Sequence, residues 1–147
     1  MADNGSLERT RAGAVFTLRW NRPKANAFDE PLVEALIEAL AEAGRDEAVR
    51  CVVLTGAGRF FSAGQDLLSA GKAERATPVR DYVARTANRL ILAIRRLEKP
   101  VLGAVNGTAA GAGTARGRPL LERKLWIPQM SWGGAMAFAA AFRSLAI

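Results

Sequence analysis

The chain has 147 residues, 50% of them hydrophobic, which fits one folded domain with a real core. Its formal net charge is +7, it has no histidine, and its single cysteine, Cys51, lies inside an apolar run. That composition excludes Ser–His–Asp and Cys–His catalytic arrangements, a Cys/His zinc site and an internal disulfide, and makes Cys51 a buried strand residue.

Residues 7–11 and 14–20 read as two strands around an Ala12-Gly13 turn; from Val15 the second alternates apolar and polar. Asn21-Arg22-Pro23 stops it. Asp29 is placed to N-cap a helix over 31–43, with proline in the first turn, Gly44 at the end, and Leu32, Ala35, Leu36 and Leu40 as its apolar stripe. The β-branched run 49–55 predicts a buried strand, and Ser62 is placed to cap a short helix starting near Gly64. Residues 79–97 predict a long amphipathic helix with Val83, Leu90, Ile91 and Ile94 toward the core; Pro100 ends it and Val101–Val105 is the next strand. The order β-β-α-β-α-β implies an α/β domain with crossover connections.

After Gly113 the character changes. Residues 114–147 carry Met130, Met136, Trp126 and Trp132, five basic residues, Glu122 as the sole acid, and no aspartate. The excess charge sits at this end without interleaved aromatics, so the reading is no nucleic-acid partner, and acidic, phosphate-bearing small molecules stay plausible ligands. The opening MADNGSLERT lacks the layout of a secretory signal and no apolar stretch is long enough for a bilayer, so no membrane partner and a cytoplasmic location are expected.

Two glycine/alanine-rich loops each follow a short apolar strand, in CVVLTGAGRFFSAGQDL and in KPVLGAVNGTAAGAG. The dinucleotide fingerprint fails, because its sixth position is Arg116 counted from Gly111 and Phe61 counted from Gly56. A P-loop ending in Gly71-Lys72 fails at Asp66. Tight turns without further role are one reading of these loops. The functional one is an oxyanion site. Gln65 follows Gly64 at the expected helix start, and Ala112 sits between Gly111 and Gly113 in the equivalent place; their backbone N–H groups suit a thioester oxygen that gains charge as an enolate forms. Asn106, before Gly107, reads as a turn residue.

The runs NRPKANAF, VVLTGAGRFFSAGQDL and KPVLGAVNGTAAGAG, in this order and spacing, resemble the enoyl-CoA hydratase/isomerase (crotonase) superfamily over residues from about 7 to 113. The pairing of SAGQDL with AAGAG is most similar to the branch that isomerises ring-modified phenylacetyl-CoA compounds. The resemblance implies an α/β fold with a crotonase-like ββα spiral core, and an acyl-CoA thioester whose oxygen is held by the amides of Gln65 and Ala112. It also implies that Lys24, Ala25, Ala63, Gly64, Asp66, Leu67 and Gly111 line the CoA, with no cofactor beyond coenzyme A as part of the substrate and no metal. Lys24 reads equally as a solvated loop lysine, and Asp66 reads slightly better as a residue that hydrogen-bonds the loop backbone than as a ligand.

The family's acid positions are empty. Ala115 and the stretch Gly133-Gly134-Ala135-Met136 stand where the hydratases carry glutamates, and no aspartate follows Asp81 for the isomerase acid. Proton transfer needs such a group. The expectation is therefore a core over 1–113, with a divergent basic tail over 114–147, truncated relative to the family, frameshifted or poorly ordered, and without the region that builds the family's trimers and hexamers. Impaired hydration or double-bond isomerisation is the first reading of function. A non-catalytic acyl-CoA-binding fragment or interaction subunit is the alternative.

Overall fold

The structure is a computed structural model that describes residues 5–66, 82, 84–110 and 126–128. Strand β1 (Leu7–Ala12) turns at Gly13, whose φ of 58° suits glycine, into antiparallel β2 (Val15–Trp20). The alternation in β2 has the expected effect, since Phe16, Leu18 and Trp20 are buried on one face. The strands β3 (Cys51–Gly56) and β5 (Val101–Val105) then add in parallel, and β7 (Trp126–Pro128) pairs with β5, giving the order β1-β2-β3-β5-β7. A second, two-stranded parallel sheet joins β4 (Phe60–Ser62) to β6 (Thr108–Ala109).

Helix α1 (Glu30–Arg45) connects β2 to β3. Asp29 caps it as expected, accepting from the Leu32 N–H at 3.0 Å. Its buried face is wider than the sequence stripe and includes Val33, Ala39 and Ala43 beside Leu32, Leu36 and Leu40, while Ala35 is only partly buried. The helix does not stop at Gly44. It continues to Arg45 with Asp46 as C-cap, because the Lys99 ammonium donates to the Ala43 and Asp46 carbonyls, both at 2.6 Å, and satisfies that end. The Gly44 position faces Leu97, which an added Cβ would approach to 3.2 Å.

The second helical stretch differs from expectation in one way that matters. Residues 84–88 form a π-helical turn (Ala84–Asn88) between Tyr82, which is α-helical, and the regular α-helix Arg89–Arg96 (α2); of the start of the expected 79–97 helix, residues 79–81 and Val83 lie outside the described residues. Tyr82, Thr86, Leu90 and Ile94, spaced four apart, are all buried. In a continuous α-helix three such steps drift by about 120°, and the wider π turn offsets part of that drift, so the four stay on one face. Ile91, expected in the core, is half-buried for the same reason.

The core between sheet and helices includes Leu18, Leu32, Val33, Leu36, Val52 and Val101, each at most 1% exposed. Under the loops sits an aromatic cluster. The Trp20 ring lies 5.3 Å from Phe28 and 4.9 Å from Phe61, and its indole N–H donates to the Phe61 carbonyl. A void of about 10 Å³ beside this cluster is lined by Leu36, Leu40, Leu54, Leu90 and Ile94 as well as by the rings. It is apolar and too small to be a ligand site. Among the described residues no helix is long and apolar enough to cross a membrane.

Candidate functional site

Ser62 is not a helix cap. It ends β4, fully buried, and its hydroxyl accepts from the Gly64 N–H at 3.0 Å. The residues that follow do not turn into a helix because the segment after β2 pairs with them. Ala63 N–H donates to the Ala25 carbonyl at 2.9 Å, Phe28 N–H to the Gly64 carbonyl at 2.7 Å, and Asp66 N–H to the Phe28 carbonyl at 2.9 Å. The result is a parallel bridge between Phe28 and Gln65, where a helix start was expected. In such a bridge the N–H and C=O groups on the Gln65 side belong to its neighbours, so the Gln65 amide takes no part in it. Strand pairing rather than the start of a helix sets the backbone here, and among the described residues the Gln65 N–H has no backbone acceptor.

The second loop begins beside the first. Ala110 N–H donates to the Ser62 carbonyl at 2.9 Å, one residue beyond the β4–β6 ladder. Gly107 permits this approach, since a Cβ there would stand 2.0 Å from the Arg59 carbonyl oxygen. Asn106 does more than turn the chain. Its Oδ1 accepts from the Gly56 N–H at 3.0 Å and its Nδ2 donates to the Gly58 carbonyl at 2.9 Å, tying β3, the β3–β4 loop and β5 together. Gly111, Ala112 and Leu67 lie outside the described residues.

Among the remaining expected residues, Lys24 is exposed at φ 79°, Ala25 is half-buried, Ala63 is exposed and Gly64 is buried at φ 94°. Asp66 is drawn into an ion cluster that sequence reading missed. The Arg22 guanidinium pairs with Asp66 Oδ2 at 2.6 Å and with Asp29 Oδ2 at 2.9 Å, and its third nitrogen reaches the Ala27 carbonyl at 3.3 Å. Both carboxylates are largely enclosed, with 16% of the Asp29 side chain and 12% of the Asp66 side chain exposed. One cation between two anions thus locks the loop after β2 to the loop after β4 and to the start of α1.

Asn26 was also missed. It is 4% exposed at φ 52°, and its side chain accepts from the Arg22 N–H at 3.0 Å while donating to the Ala57 and Phe60 carbonyls at 2.8 and 2.7 Å. The Gln65 carboxamide donates to the Phe28 carbonyl at 2.9 Å and takes a longer contact of 3.4 Å from the Thr86 hydroxyl. Tyr82 is buried too, and that burial raises its phenol above the ordinary value of 10.0, with the Gln65 side chain opposing the shift. The asparagine between two alanines in KANAF was the available signal for Asn26, as a short polar side chain that tolerates positive φ. No local signal marks Thr86 or Tyr82.

The sequence that builds this arrangement matches known proteins. Residues 10–116 match the family model for enoyl-CoA hydratase/isomerase. Over 103 residues the chain is 45% identical to 1,2-epoxyphenylacetyl-CoA isomerase of Escherichia coli, covering 67% of this chain and 39% of that protein. It is 40% identical to carnitinyl-CoA dehydratase of Salmonella enteritidis over 109 residues, covering 74% and 41% respectively. The crystal structure of an enoyl-CoA hydratase from Bacillus anthracis superposes with a TM-score of 0.71 at 29% identity, over 78% of this chain and 45% of that one. The chain thus spans less than half the length of these relatives.

Proposed function

The chain belongs to the enoyl-CoA hydratase/isomerase family and carries a crotonase-like core; from that premise we propose that it binds an acyl-CoA thioester with the thioester oxygen between the backbone amides of Gln65 and Ala112. The observation that supports this reading is the meeting of the two loops. The Gln65 amide takes no part in the Phe28–Gln65 bridge, and the Ser62–Ala110 hydrogen bond joins the start of the second loop to the first, two residues before Ala112 in sequence. Two fixed N–H donors stabilise an oxygen that becomes more negative as a proton leaves the neighbouring carbon, and each such donor is worth about 3 kcal/mol in the transition state. Lys24, Ala25, Ala63, Gly64, Leu67 and Gly111 line the CoA in this reading. Asp66 acts through its pair with Arg22, which holds the first loop in place. The ligand brings coenzyme A with it, and the chemistry asks for no further cofactor.

Enolate formation also needs a positioned proton acceptor, and Ala115 and Gly133-Gly134-Ala135-Met136 supply none. The proposed activity is therefore thioester binding with impaired hydration or isomerisation, performed by a core over 1–113, with 114–147 as a divergent basic tail. Calorimetric titration with butyryl-CoA, beside a spectroscopic assay on crotonyl-CoA, tests both parts. Binding with little or no turnover is expected. Robust hydration overturns the impairment, and absence of binding overturns the thioester reading itself.

A further inference from the structure

Asn106 is followed by Gly107, and an asparagine before a glycine is the arrangement in which a carboxamide is most open to attack by its own main chain. The Gly107 backbone nitrogen bonds to the Asn106 Cγ and gives up its proton, the Cγ–Nδ2 bond breaks, and ammonia leaves. Water then opens the resulting succinimide to aspartate or isoaspartate. A side chain on the following residue hinders the attack, and Gly107 has none. The fold requires glycine there for another reason, since a Cβ would stand 2.0 Å from the Arg59 carbonyl oxygen. The close approach of β6 to β4 thus commits the chain to a reactive pair. Asn26 also donates to the Phe60 carbonyl, at 2.7 Å, but Ala27 follows it.

In the native structure the Asn106 carboxamide is held away from this reaction. Its Oδ1 accepts from the Gly56 N–H at 3.0 Å and takes a longer contact of 3.4 Å from the Thr55 hydroxyl. Its Nδ2, the leaving nitrogen, donates to the Gly58 and Phe60 carbonyls at 2.9 and 3.3 Å. Both ends of the amide are therefore engaged, and Cγ reaches the Gly107 nitrogen only when the side chain gives these partners up. Neither product fits back. Aspartate sets an oxygen against the Gly58 and Phe60 carbonyls where a donor stood. Isoaspartate adds one atom to the main chain between β5 and β6, where there is no room even for a Cβ.

We propose that Asn106–Gly107 is a deamidation site gated by the fold: it is closed in the native protein, it reacts when the clamp on β3 and β4 opens, and its conversion keeps the chain from closing again. The reaction rate in the native protein is then the chemical rate multiplied by the fraction of molecules that are open. Opening becomes one-way, because the open chain is altered before it refolds. Time spent open, rather than time since synthesis, sets how much of the protein is lost.

The test holds the full chain in neutral buffer and in guanidinium chloride, with a peptide of residues 103–109 as the chemical reference in both solutions. Peptide mapping by mass spectrometry follows conversion at Asn106 separately from the Asn4–Gly5 pair. In denaturant Asn106 is expected to convert at the rate of the peptide, with Asn26 lagging behind. In the native protein Asn106 is expected to convert at least ~10-fold more slowly than the peptide. After removal of denaturant, the native fraction should carry intact Asn106 and the converted chains should stay in the non-native fraction. Native conversion at the rate of the peptide overturns the gate, and an unfolded chain that leaves Asn106 intact overturns the site. Converted chains in the native fraction, or an Asn106→Asp variant as stable as the parent, overturn the one-way step.

Discussion

Replacing Asn26 by alanine removes three hydrogen bonds from a buried position and leaves an alanine at φ 52°. The Phe60 carbonyl keeps a second donor in Asn106 at 3.3 Å, so the groups left without a side-chain partner are the Arg22 N–H and the Ala57 carbonyl. Each orphaned backbone group costs about 1–3 kcal/mol, and the left-handed conformation adds about 1 kcal/mol for a residue with a Cβ. Asn26→Ala is therefore expected to lose about 3–7 kcal/mol. Asn26→Gly loses the same bonds without the backbone strain, and is expected to be about 1 kcal/mol better than alanine. Asn26→Asp keeps the acceptor for Arg22 but sets an oxygen against the Ala57 and Phe60 carbonyls, and should be no better than alanine. Urea unfolding followed by tryptophan fluorescence, with unchanged m-values, gives the differences. An alanine variant within 1 kcal/mol of the parent, or a glycine variant worse than alanine, would refute the reasoning.

Three further outcomes follow from the same loops. Gly107→Ala places a Cβ 2.0 Å from the Arg59 carbonyl oxygen, so β6 must move away from β4; a loss of about 2 kcal/mol or more and weaker butyryl-CoA binding are expected, read by unfolding and calorimetry. Arg22→Ala leaves Asp29 and Asp66 enclosed without their cation and should cost ~2–3 kcal/mol, part of which returns in the double variant Arg22→Ala/Asp66→Asn, measured as a mutant cycle. Tyr82 gives a pH dependence with a defined sign. Its folded-state pKa is raised by burial, so the unfolded chain loses the phenolic proton first, and the stability difference between the parent and Tyr82→Phe should be constant below the ordinary value of 10.0 and fall as pH rises past it. Constant relative stability from pH 8 to about 11 counts against that burial.

What could be read from the chain follows from how local each signal is. The β1–β2 turn at Gly13, the alternation of Phe16, Leu18 and Trp20, and the Asp29 cap are set within a few residues, and each appears where periodicity and capping chemistry place it. The non-helical path of 63–66 differs from the expected helix start because its cause is Phe28, a partner far away in sequence. Arg22 was read as part of a strand stop, since nothing local says that Asp29 and Asp66 converge on it. The length of α1 was likewise decided by a distant residue, Lys99. The π turn escaped because hydrophobic spacing of four fits an ordinary helix too. The strand Trp126–Pro128 escaped because it is only three residues long and its pairing partner, Gly103–Val105, is distant in sequence.

The sheet order has a consequence for how the chain acquires its structure. Strand β2 has no partner on its second edge until Cys51–Gly56 has been made, and β3 none until Val101–Val105 follows. Parallel neighbours separated by such long crossovers bring late contact formation and slow folding relative to hairpin-built domains. During synthesis the edge of β3, with Val52 and Leu54 on it, therefore waits unpaired while some fifty residues are added. An open apolar strand edge is a template for pairing with other chains. Yield of native protein should accordingly depend on what shields that edge during translation, such as a holdase or a low growth temperature, more than on the equilibrium stability of the finished fold.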